Sequence, residues 1–159
     1  MKEAAMAETA ADYKSDIDRD KLEVRISRVF RATPERMWQA HTEPELLVKW
    51  WRNTKVDKFE LKPGGAWRFV STGPDGQEFT SSGEFKELDE PNKIVRTYEF
   101  RTGHAFVETT TFEPLPDGTT RQVAVSKFAT IDDLNGMAKG MEYGARPGLD
   151  GLAKVVESD

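Results

Sequence analysis

The sequence predicts an α+β protein with an antiparallel sheet, and three observations carry that reading. Apolar and polar residues alternate from Leu22 onward. A long middle stretch is strand broken by short Gly, Pro, Asn and Asp turns. Helical spacing then returns near the end of the chain. Runs of strand followed by a long helix, joined by short connections, favour antiparallel neighbours over crossover units.

Taken in order, Leu22, Val24, Ile26 and Phe30 share one face, while Glu23, Arg25 and Ser27 share the other, as in a half-buried strand. Thr33-Pro34-Glu35 then supplies a helix start: an N-cap hydroxyl, proline in the first turn and an acid beside the helix dipole. That helix presents Met37, Trp38 and His41 before Pro44 stops it. Leu46, Leu47, Trp50 and Trp51 recur at helical spacing and predict a second short helix. Six strands follow: Val56–Leu61, Trp67–Ser71, Gln77–Leu88, Ile94–Arg101, Val107–Glu113 and Thr119–Lys127. Their separators include Lys62-Pro63-Gly64-Gly65, Gly73-Pro74-Asp75-Gly76 and Pro116-Asp117-Gly118, all turn-forming sets. A final helix is predicted from about Asp132 to Val156.

Composition narrows the function. The 159 residues suit one domain, expected over 21–159. Residues 1–20 hold six acids against Lys2, Lys14 and Arg19, and read as a flexible acidic arm. The net charge of −5 argues against a nucleic-acid partner, and short uncharged runs exclude a transmembrane helix. Without cysteine there is no thiolate chemistry or cysteine-ligated zinc, and a cytoplasmic location is expected. His41 and His104 form no metal signature, and no glycine-rich nucleotide loop occurs, so neither metal nor cofactor is expected.

Several segments resemble one family as a set. Val29–Trp38, Lys49-Trp50-Trp51, Pro63-Gly64-Gly65, Gly83–Leu88 and Ile94–Tyr98 resemble the SRPBCC superfamily, of START/Bet v 1-like fold. Thr111–Pro114 and Met141-Glu142-x-Gly144 resemble its branch related to the C-terminal domain of the activator of heat-shock-protein-90 ATPase. The resemblance covers roughly residues 22–156 and implies a helix-grip fold, with a curved sheet wrapped around the C-terminal helix and a cavity between them. It further implies a small hydrophobic or amphipathic ligand. The alternatives it carries are stress-response contact with the chaperone, or a cofactor-free enzyme acting on a cyclic, polyketide-like substrate. A homodimer is a further implication of family analogy.

The residues themselves give the cavity content. Gly136, Gly140, Gly144, Gly148 and Gly151 fall within an arc of about 120° on the last helix, with Pro147 among them. Three readings stand: close packing on the sheet, room for a ligand, or a frayed helix. Alternation sets Glu108, Thr110 and Phe112 on one strand face, so a carboxylate points inward and needs a partner, for which Arg121 is one candidate. In residues 122–126 either the register slips by one or Gln122 faces the cavity. Glu142 is either solvated, paired with a sheet arginine, or a polar anchor and base at the cavity. His41 reads as a partly buried cap or packing residue and His104 as solvated. The expected ligand-binding set is Trp51, Trp67, Phe69, Phe85, Glu108, Thr110, Phe112, Met137, Met141, Glu142 and Ala145, with no catalytic residue assigned.

Overall fold

A computed structural model describes residues 12–157. Its strands are β1 (Lys14–Asp18), β2 (Glu23–Phe30), β3 (Thr54–Phe59), β4 (Ala66–Thr72), β5 (Glu78–Asp89), β6 (Lys93–Arg101), β7 (His104–Pro114) and β8 (Thr120–Lys127). Two short helices, α1 (Pro34–Thr42) and α2 (Pro44–Trp50), follow β2, and α3 (Ile131–Val156) ends the fold. All strands join one antiparallel sheet in the order β1-β2-β8-β7-β6-β5-β4-β3, which is the expected helix-grip arrangement.

Local chemistry explains the helix starts. Thr33 accepts a hydrogen bond from the Arg36 amide at 3.2 Å, and Pro34 occupies the first turn. Thr130 does the same for Asp133 at 3.1 Å. The second cap is reinforced by His104, whose Nδ1 lies 3.0 Å from Asp133 Oδ1, so this histidine docks the helix start rather than standing in solvent. Pro147 does not interrupt α3, which runs continuously to Val156.

Two apolar clusters hold α3 by its ends. Near its C-terminus, Leu149, Leu152, Ala153, Val155 and Val156 pack with Phe30, Met37, Trp67, Phe69, Phe85 and Phe112. Near its N-terminus, Leu134 and Ala138 pack with Val24, Phe106 and Phe128. Each large buried side chain contributes about 1.5–3 kcal/mol, so both ends are firmly fixed. Between them, residues 139–148 include no buried side chain. The long helix is therefore a span with anchored ends.

The first strand departs from expectation. Residues 14–18, read as part of a flexible arm, form β1 and pair with β2 through Lys14–Ser27, Ser15–Ile26, Asp16–Arg25, Ile17–Val24 and Asp18–Glu23. Residues 1–11 of that arm lie outside the described residues. The side chains of β1 and its flanks run along α3. Arg146 sits 4.3 Å above the Tyr13 ring, the Ser15 hydroxyl donates to Glu142, and Arg19 Nε donates to Asn135 Oδ1 at 3.2 Å. Ile17 joins the N-terminal cluster. Mostly polar contacts replace an apolar stripe here, which is why composition alone reads as disorder.

Candidate functional site

Beneath the span of α3 lies a cavity of about 410 Å³. Its sheet wall comes from inward positions of adjacent strands: Ile26 on β2, Ala124 and Ser126 on β8, Glu108 and Thr110 on β7, Arg96 and Tyr98 on β6, and Ser81 on β5. Met141, Gly144, Ala145, Gly148 and Leu149 form the helix wall. His41, Trp50 and Trp51 close one end, and the exposed Arg52, Thr72 and Phe79 stand at the mouth. A larger groove of about 640 Å³ follows the opposite flank of α3, but Arg36, Lys49, Arg52 and Lys154 dominate its walls. Its character suits an apolar molecule poorly.

The glycines resolve one of the open readings. A Cβ added at Gly136, Gly140, Gly144 or Gly148 meets nothing within 4 Å. Only Gly151 touches a neighbour, with Trp50 at 3.6 Å, an ordinary contact. Close packing on the sheet thus explains none of the first four. Gly144 and Gly148 border the cavity, and the absence of their side chains enlarges it.

Register brings the polar groups together. Val24, Ser126, Glu108 and Arg96 lie in one row across β2, β8, β7 and β6. Arg96 Nε donates to Glu108 Oε1 at 3.0 Å, with only 12% and 20% of the two side chains exposed. The guanidinium also lies 4.5 Å from the Trp67 ring centroid and 5.8 Å from those of Trp51 and Tyr98. Burial of a carboxylate is costly unless it is paired, and Arg96 supplies the pairing. Arg121 does not: it faces Glu113 at 3.7 Å instead.

Gln122 faces inward, so β8 needs no register slip. His41 Nε2 donates to Gln122 Oε1 at 2.8 Å, while Trp50 and Phe112 rings lie 4.9 and 5.1 Å from the imidazole. Burial lowers the His41 pKa from 6.5 to about 4, against the raising effect of the Gln122 bond; Arg96 lowers it and Glu108 raises it. At neutral pH this ring is uncharged, and with its proton on Nε2 the Nδ1 atom keeps a lone pair. Tyr98 donates to Ser81 at 3.0 Å, and Thr54 and Ser71 share a hydrogen bond of 2.8 Å. The hydroxyls of Thr110 and Ser126 line the cavity without a hydrogen-bond partner among the described residues.

Of the expected site residues, Trp51, Glu108, Thr110, Met141 and Ala145 border the cavity. Trp67, Phe69, Phe85 and Phe112 are instead buried in the larger apolar cluster. Met137 packs on the N-terminal cluster. Glu142 bonds Ser15 of β1 and is not among the residues that line the cavity. Arg96, Tyr98 and Ser126 were absent from the expected set, and His41 was read as a helix cap or packing residue. Among the described residues no group of three or more His, Asp or Glu side chains is placed to hold a metal. No helix among them is long and apolar enough to cross a membrane.

The same fold occurs in solved structures. Protein Ms6760 from Mycobacterium smegmatis is 25% identical with a TM-score of 0.83, over 92% of this chain and 97% of that one. A protein from Arthrobacter aurescens is also 25% identical with a TM-score of 0.83, over 91% of each chain. A Rhodobacter sphaeroides protein at 24% identity and TM-score 0.80, over 91% of this chain and 98% of its own, shares the fold. No curated protein matches the sequence. The family model described as "Activator of Hsp90 ATPase homolog 1-like protein" matches residues 31–157, a stretch that contains α1, α2, the strands from β3 to β8 and all of α3. With that extent of match, the chain belongs to the Activator of Hsp90 ATPase homolog 1-like family.

Proposed function

We propose that the protein binds a small amphipathic molecule in the cavity between the sheet and α3. The observation that carries this reading is the 410 Å³ cavity under a helix span with no buried side chain. Its size falls within the range of small-molecule sites, and aromatic walls with a few convergent polar groups are their usual lining. Ile26, Trp50, Trp51, Met141 and Leu149 supply apolar contact; His41, Gln122, Thr110 and Ser126 supply hydrogen bonds.

The test uses the tryptophans themselves. Trp50 and Trp51 border the cavity, so titration with the uncharged probe N-phenyl-1-naphthylamine should change intrinsic fluorescence saturably, with one site per chain. Gly148→Leu adds a side chain at the cavity wall, where an added Cβ meets nothing within 4 Å. This variant should fold normally and bind the probe at least tenfold more weakly. Equal binding by the variant would move the site elsewhere.

A further inference from the structure

We infer that the cavity is selective for uncharged amphipathic ligands, and that the Arg96–Glu108 pair is the specificity determinant that excludes anionic ones. This deepens the ligand-binding reading above and rests on it. Three charged residues border the cavity: Arg52, Arg96 and Glu108. Arg52 is exposed at the mouth, so only the other two carry charge inside. Their contact at 3.0 Å makes the interior electrically neutral.

An unpaired arginine in such a place would be an anion receptor, presenting a forked set of donors to a carboxylate or sulfonate. Here one donor of the fork, Nε, already meets a carboxylate, so the charge of the guanidinium is compensated. Any anionic group brought to Arg96 has the Glu108 carboxylate as its neighbour, and like charges repel strongly where water is scarce. An uncharged ligand meets no such opposition. The single Nε–Oε1 contact leaves the terminal guanidinium nitrogens and Glu108 Oε2 without hydrogen bonds to described residues. A neutral molecule with an acceptor beside a donor can use both sides of the pair without breaking it. Trp67 beneath the guanidinium and the β6–β7 register hold the pair in place.

The experiment compares two probes that differ in one charge: N-phenyl-1-naphthylamine and 1-anilinonaphthalene-8-sulfonate, titrated at pH 7.5 into the full chain. Wild type should bind the uncharged probe at least tenfold more tightly. Glu108→Gln keeps an acceptor for Arg96 and removes the negative charge. It should tighten sulfonate binding at least tenfold and change the uncharged probe less than threefold. The Arg96→Gln/Glu108→Gln double variant, neutral without a cation, should not show that gain; melting curves establish that each chain is folded. Saturable binding of the uncharged probe with no sulfonate gain in Glu108→Gln, or the same gain in the double variant, overturns the selectivity and leaves the cavity reading standing. Equal affinity of wild type for the two probes also overturns it, without any variant. If neither probe binds any folded chain, the ligand-binding reading falls and the selectivity with it.

Discussion

His41 sits between two aromatic rings, bonded to an amide and close to the Arg96–Glu108 pair. Its pKa of about 4 in the folded chain and 6.5 in the unfolded one couples it to stability. Between those values the unfolded chain holds a proton that the folded chain refuses. Stability therefore falls as pH drops through this window, by about 3 kcal/mol for the full shift. Urea unfolding of wild type and His41→Gln from pH 7 to pH 4 should differ in slope, the variant losing less. The residue scale is also where sequence reading failed most. Counting back from the turn at Thr102-Gly103 sets Thr109 opposite Arg96, but an irregularity between Glu99 and Arg101 shifts the pairing so that Glu108 stands there. One bulge hid the interior ion pair. Gln122 was harder still, because its partner His41 comes from another element 81 residues away.

At the scale of elements, α3 and β1 give opposite lessons. The helix was legible from its periodic apolar residues and its cap, and its glycines correctly marked an unusual surface. Their purpose required neighbours, and four of the five have none within 4 Å of an added Cβ. Gly140→Ala, which does not border the cavity, should raise the unfolding free energy by about 0.5–1 kcal/mol and leave probe binding unchanged. Gly83 behaves in the contrary way. A Cβ there would stand 1.9 Å from Thr97 O, the atom that accepts a hydrogen bond from Trp67 Nε1 at 3.1 Å. Gly83→Ala should cost about 2–4 kcal/mol in chemical denaturation, through forced separation of β5 from β6. Strand β1 was not legible, because its contacts with α3 are mainly an arginine over a ring and side-chain hydrogen bonds. Ser15→Ala with Tyr13→Ala should speed amide exchange in 139–148 more than elsewhere on the helix.

Across the whole molecule, the α+β class was legible from the short turns, the run of strands and the terminal helix, whereas the helix-grip arrangement came from the family resemblance. What strings of residues could not show is that the core comes in two parts with a cavity between. All four tryptophans belong to or pack on the larger cluster, while the smaller one is built on Val24, Phe106, Phe128, Leu134 and Ala138. Ile26 and Tyr98 pack against both, and α3 enters both. The two clusters should therefore melt as one unit, with tryptophan fluorescence and far-ultraviolet circular dichroism giving coincident transitions. Separated midpoints would mean that the bridge between them is weak.

The helix over the cavity can be viewed as a beam clamped at both ends. Such a beam deflects most at midspan and hardly at all at its supports, and a proline at position 147 removes one of its internal ties. A bulkier guest would then be met by bowing of Met141–Gly148, with the fixed ends unmoved. The tolerance of this protein for ligand size would be set by helix stiffness more than by the sheet.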